Sequence, residues 1–252
     1  MYNVMYCEFL KLKKSYFYLL LLIGICFFPA LMCLGWLGQG AYVYWNRYIF
    51  QVEQMTYLFS GTILYVLIAA YIYSREFSCG AANTLFSYPV SRAKIFMAKF
   101  IIIVLFIFGA IILQLLLTIL GGLLLPHEPL TMAIMEEHLK INLLVLLLQC
   151  SLLPVAILIT LLSRNIIMPI IYGAFVTIVN VCIMGLNLDS VAKYIPTLYP
   201  ITTLFHSFTT DSQGKMEFVH FTLSNYSISI AAITFIVSMA LCIIYYLKTD
   251  ID

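Results

Sequence analysis

Six long apolar runs dominate this sequence, at residues 16–37, 56–74, 95–120, 141–162, 166–186 and 226–247. About 18 to 20 such residues, wound as an α-helix, match the roughly 30 Å hydrocarbon core of a bilayer. Backbone groups inside that core must be satisfied within the protein, which favours helices for continuous apolar runs. The runs therefore predict an all-α membrane protein of six transmembrane helices, read as one domain over residues 1–252.

Composition agrees. The chain is 63% hydrophobic and 10% charged, with a mean hydropathy of +1.04, against roughly 25% charged residues in soluble domains. No soluble domain, internal repeat or low-complexity tract stands out. The first run lacks a small-x-small cleavage pattern and is expected to be a retained span. The seven cysteines are odd in number, sit mostly in apolar runs and show no metal-ligand spacing. They read as small core residues, with no metal site and no disulfide frame.

Residues 3–15 precede the first span. Met5, Phe9, Leu12 and Tyr16 share one helical face, while Glu8, Lys11 and Lys14 occupy others. That pattern predicts a short amphipathic helix lying in the headgroup layer, its lysines toward anionic lipid. Residues 38–55 are expected to be a loop, and Trp36, Tyr42, Tyr44, Trp45 and Tyr48 to form an interfacial belt, with a substrate-stacking surface as the alternative. The third span is expected to end at Leu120 or to run on to Leu125, closed by Gly121, Gly122 and Pro126, and Ser163, Arg164 and Asn165 are expected to make a tight turn. Residues 187–225, with Pro196 and Pro200, suit short helices dipping into the outer leaflet.

With the N-terminus inside, nine of the 13 basic residues face the inner side (Lys11, Lys13, Lys14, Arg75, Arg92, Lys94, Lys99, Arg164 and Lys248). The positive-inside rule thus places both termini in the cytosol.

Several chemistries are absent. There is no G-x-x-x-x-G-K-[ST] and no H-E-x-x-H motif, so the chain is not expected to be an enzyme. Glu136-Glu137-His138 falls in an expected outer loop, and all four histidines read as solvated surface. Nothing points to nucleic acid. No acidic or basic residue lies well inside an expected span, which weakens an ion-coupled or passive transporter acting alone. The uncharged polar residues in the spans are Gln114, Thr118, Asn142, Gln149, Thr177 and Asn180. They can bond helix to helix; Gln114, Thr118, Asn142, Gln149 and Asn180 can alternatively line a translocation path.

The longest polar break on the inner side is residues 75–99, REFSCGAANTLFSYPVSRAKIFMAK. Phe77 to Tyr88 can form a short helix along the membrane surface, Pro89 stops it, and Ser91 is a suitable N-cap for the next helix. Arg92, Lys94 and Lys99 are expected at the inner headgroups, Lys99 as a snorkelling anchor.

Two stretches here resemble the permease subunits of type-2, export-class ABC transporters. One is the opening Glu8–Ser15, EFLKLKKS. The other is Glu76-x-x-x-Gly80 followed by Tyr88-Pro89-Val90-Ser91-Arg92 and Lys99; it departs at Gly80-Ala81, with Thr84 displaced. The resemblance implies that the surface helix is a cytosolic coupling helix between the second and third spans. It implies that Arg75, Glu76, Gly80, Asn83, Pro89 and Arg92 contact a separate ATPase. It further implies two ATPase subunits, which bind ATP and Mg, and a second permease, the same chain or a related one. Within the class, the layout is most similar to permeases for bacteriocin, lantibiotic or bacitracin immunity. The expected cargo is then an antimicrobial peptide or another amphipathic or hydrophobic molecule.

Overall fold

The computed structural model describes residues 2–13, 17–78, 91–186, 189–210, 216–219 and 224–248. Helix α1 (Tyr2–Lys13) leads into α2 (Phe17–Gln39), which runs away from it to the far end of the bundle. The chain returns through α3 (Trp45–Met55), a π-helical turn (Thr56–Gly61) and α4 (Thr62–Ser78). Then follow α5 (Arg92–Leu123), α6 (Met132–Ser163) and α7 (Ile167–Gly185). At the far end come α8 (Asp189–Ala192), a 3-10 turn (Pro196–Leu198) and α9 (Tyr199–His206). The antiparallel strands β1 (Phe208–Thr210) and β2 (Met216–Phe218) precede the last helix, α10 (Asn225–Lys248).

Among the described residues, six helical stretches are long and apolar enough to cross a membrane: Phe17–Gln39, Trp45–Arg75, Arg92–Leu123, Met132–Ser163, Ile167–Gly185 and Asn225–Leu247. The second and fourth are the most buried, and the others surround them. The peripheral helices turn large apolar residues outward, such as Ile23 and Phe27 on α2, Ile171 and Phe175 on α7, and Ile233 and Ile236 on α10. In water such faces would drive aggregation; against lipid tails they carry no such penalty.

The second span begins at Trp45 rather than at residue 56. Trp45, Tyr48, Ile49 and Val52 recur at helical spacing and are wholly buried, so Trp45 and Tyr48 of the expected belt belong to a packed helix face. Tyr42 and Tyr44 remain exposed. The third span runs through the glycine pair to Leu123, within the expected range of Leu120 to Leu125. A Cβ on Gly122 would lie 2.5 Å from the Trp45 ring, and one on Gly121 would lie 3.0 Å from the Tyr48 hydroxyl. These glycines let two large rings lie against α5, which continues to Leu123.

The tight turn after α6 is present. Arg164 adopts a left-handed conformation (φ 50°), and the Ile167 amide donates to Asn165 Oδ1. Ser91 occupies the N-cap position of α5, without a side-chain cap bond. The far-end connection contains the expected short helices, of which α9 is buried from Tyr199 to Leu204. The β1–β2 pair was not expected. Its two strands are three residues each and carry too little alternation to stand out.

Candidate functional site

Two polar clusters lie at opposite ends of the bundle. The first, at the end that carries α1, centres on Lys99. This residue is 1% exposed, on the second turn of α5. Its Nζ donates to the Ile72 carbonyl of α4 at 3.3 Å and lies 3.8 Å from Glu8 Oε2 of α1. It also sits 5.5 Å from the centre of the Tyr73 ring. Tyr73 donates from its hydroxyl to the Phe96 carbonyl at 2.9 Å, and both rings pack against Tyr246 of α10. Arg92 donates to the Leu247 carbonyl at 3.3 Å, joining α5 to the end of α10. Four helices thus meet around the two ends of the 79–90 connection.

This arrangement corrects one expectation. Lys99 does not snorkel; its ammonium is enclosed and paired. The buried face of α1 carries Glu8 and Leu12, whereas Phe9 is exposed and stacks at its edge on Phe106. A buried carboxylate four residues before a buried leucine shares its helical face, and an acid is admitted there because Lys99 meets it.

The remaining residues expected at the coupling end divide as follows. Arg75 and Arg92 are half-buried at the ends of α4 and α5. Glu76 lies in the last turn of α4, and Lys11 lies on α1. Gly80, Asn83, Pro89 and Lys14 lie outside the described residues, as does most of the expected surface helix.

The second cluster lies near the far end, where α3 meets α6. Glu53 is 2% exposed and His138 is wholly buried. His138 Nδ1 lies 3.0 Å from Glu53 Oε2. Asn142 Nδ2 donates to Glu53 Oε1 and to the His138 carbonyl, while its Oδ1 accepts from the Tyr57 hydroxyl at 2.6 Å. Tyr57 belongs to the π-helical turn, a feature that frequently marks functional positions in helices. The imidazole stacks on Phe208 of β1, with ring centres 5.0 Å apart. Phe208 also meets Phe50 and Phe218, so the strand pair covers the cluster.

An acid is therefore enclosed within the second span, and His138 is not a solvated loop residue. Both departures follow from helices that start earlier than expected, at Trp45 and Met132. The signal was available: His138 and Asn142 are four apart, as are Ile49 and Glu53, and such pairs share a helix face.

The other polar span residues are also interior. Gln114 borders a small cavity with Thr56, Gly61 and Tyr65, and Thr118 donates to the Gln114 carbonyl. Gln149 is buried on α6. Thr177 donates to the Gly173 carbonyl. Asn180 donates to the Thr197 carbonyl and accepts from its hydroxyl, tying α7 to the 3-10 turn. Among these, Asn142 and Asn180 bond from one element to another.

Comparison with known proteins bears on both clusters. A profile described as "ABC-2 family transporter protein" matches residues 4–180, a stretch that contains Glu8, Glu53, Lys99, His138 and Asn142. The bacitracin transport permease protein BCRB of Bacillus licheniformis is 26% identical over 198 residues, which cover 77% of this chain and 87% of that protein.

Proposed function

From the premise that this chain belongs to the ABC-2 transporter family, we propose that it is the membrane permease of an ATP-driven exporter in a bacterial cell membrane. ATP hydrolysis takes place in separate subunits. Two ABC ATPases, holding ATP and Mg, dock at the α1 end, and a second permease completes the pathway. Both termini then face the cytosol, the side with nine of the 13 basic residues.

The observation that carries this reading is the Lys99 cluster. A motor's movement reaches the membrane only through rigid parts that move together. Lys99 ties α4 and α5, which flank the 79–90 connection, to α1 through Glu8. Arg92 extends the tie to α10. A push on that connection is thus delivered to four helices. Arg75, Glu76, Gly80, Asn83, Pro89 and Arg92 are the proposed contacts with the ATPase. Gln114, Thr118, Asn142, Gln149 and Asn180 remain the proposed polar path.

The proposed cargo is an amphipathic or hydrophobic molecule such as an antimicrobial peptide. Its support is the relative whose name is bacitracin transport permease protein. The test is export from cells or vesicles that carry the chain with an ABC ATPase. Cargo retention unchanged by the pair counts against the proposal.

A stand-alone ion-coupled transporter is the second reading. The observation in its favour is the enclosed Glu53–His138 pair, since ion-coupled carriers place ionisable groups at membrane depth. Cargo uptake by the purified chain in liposomes, driven by an ion gradient without ATP, would support it over the first.

A further inference from the structure

Gln114 lies past the middle of α5 and is 4% exposed. A glutamine side chain carries two N–H donors and a carbonyl acceptor. Among the described residues, the hydrogen bond at this position goes to its backbone carbonyl, from Thr118, and the side-chain amide meets no protein partner. An amide buried without a partner is costly, so what it borders decides how it is satisfied.

It borders a cavity where α2, the π-helical turn, α4 and α5 meet. The space open to the centre of a water molecule there is about 10 Å³, close to what one water needs. An organic molecule does not fit. The walls are mostly apolar, with Ile68 and Ala110 among them, but Thr56 and Tyr65 also line the cavity and carry hydroxyls. Cavities that stay dry are apolar throughout, whereas a buried water takes about three polar partners. The lining contains no carboxylate, so a metal cation would find nothing to offset its dehydration.

We propose that this cavity is a binding site for one ordered water, which accepts a hydrogen bond from Gln114 Nε2 and donates one to Thr56 Oγ1. The Thr56 hydroxyl gives its own proton to the Val52 carbonyl at 2.8 Å, which leaves its oxygen as an acceptor. The Tyr65 hydroxyl is the third partner.

The water joins α5 to the π-helical turn. Thr56 opens that turn, and its carbonyl accepts from the Ser60 hydroxyl at 3.2 Å. Gly61 closes it beside the cavity; a Cβ there would lie 3.3 Å from the Thr56 carbonyl oxygen and from the Tyr57 ring. Tyr57, in the same turn, holds Asn142 of the far-end cluster. Helix α5 in turn carries Lys99 near its start. One water thus bridges the helix that leaves the first cluster and the turn that supports the second, and such a bridge is nearly as favourable as a direct bond.

The test uses the whole chain in deuterated lipid nanodiscs, methyl-labelled at isoleucine and alanine, and goes beyond the export reading because it involves neither ATPase nor cargo. Nuclear Overhauser transfer from water to the methyl groups of Ile68 and Ala110, which are 1% and 7% exposed, reports a water held inside. Hydrogen exchange reports the amides of residues 56–61. The wild-type chain should show the water cross-peak at these methyl groups. Gln114→Leu should remove it and lower protection of the turn roughly tenfold, the worth of one hydrogen bond. Thr118→Val leaves the lining intact and should preserve both. Absence of the cross-peak in the wild-type chain overturns the site, and that readout requires no variant to fold. A cross-peak that survives Gln114→Leu has the Thr56 and Tyr65 hydroxyls as its source and also overturns the site. Unchanged protection in Gln114→Leu, with the cross-peak lost, overturns the bridge to the turn.

Discussion

Lys99 holds a charge in an enclosed position because Glu8, a backbone carbonyl and the Tyr73 ring surround it. Breaking such a pair from one side leaves the other charge buried and costs about 3–5 kcal/mol, whereas replacing both partners by apolar groups is often close to neutral. Lys99→Met should therefore lower the apparent unfolding midpoint in detergent, and Glu8→Leu added to it should restore most of the loss. Equal midpoints for the two variants would show that the pair is not coupled. Gly122 supplies a second residue-level contrast. Gly122→Ala places a methyl group 2.5 Å from Trp45 and should cost about 1–3 kcal/mol through overpacking. Gly35→Ala meets nothing within 4 Å and should be neutral or slightly stabilising, since alanine favours a helix by up to about 1 kcal/mol. Thermal unfolding of both variants checks the pair.

The π-helical turn is the element on which the far-end cluster depends. It sits between α3, which carries Glu53, and α4, and it holds Tyr57 itself. Removing one residue there, such as the exposed Phe59, rotates α3 against α4 by about 100°. Glu53 then turns away from Asn142 and His138. The deletion variant should still insert into membranes but lose export, as membrane fractionation and a cargo assay would show. Export at the wild-type level would mean that the cluster is dispensable.

At this scale, sequence and structure part in a consistent way. The six apolar runs are legible because lipid imposes one rule along each run. The first part of the second span, from Trp45 to Met55, is not, because Asn46, Arg47, Gln51, Glu53 and Gln54 interrupt its apolar pattern. The pairs that build both clusters are remote in sequence, as Glu8 is from Lys99 and Glu53 from His138. Periodicity describes one helix at a time and says nothing of which face meets which. The strand pair covering His138 was hidden for a related reason: Phe208 and Phe218 matter through their contact with each other and with α3 and α6.

For the whole molecule, the proposed orientation puts α1 in the cytosol and the β1–β2 pair outside. A membrane-impermeant thiol reagent added to intact cells should label Thr210→Cys, introduced into a cysteine-free chain at an exposed strand end. It should not label Cys7, restored alone at its exposed position on α1. The reverse pattern would invert the topology. The export account makes its central claim at the α1 end, where four helices are tied around one connection. The most direct test is ATPase turnover in nanodiscs after co-expression with an ABC ATPase, comparing wild type with Glu76→Ala/Arg92→Ala and with Lys99→Met/Glu8→Leu. The account predicts a stable complex in which cargo stimulates the wild-type ATPase, and in which both double variants lose that stimulation. A wild-type chain that never retains an ABC ATPase, or variants that couple as well as wild type, would contradict it.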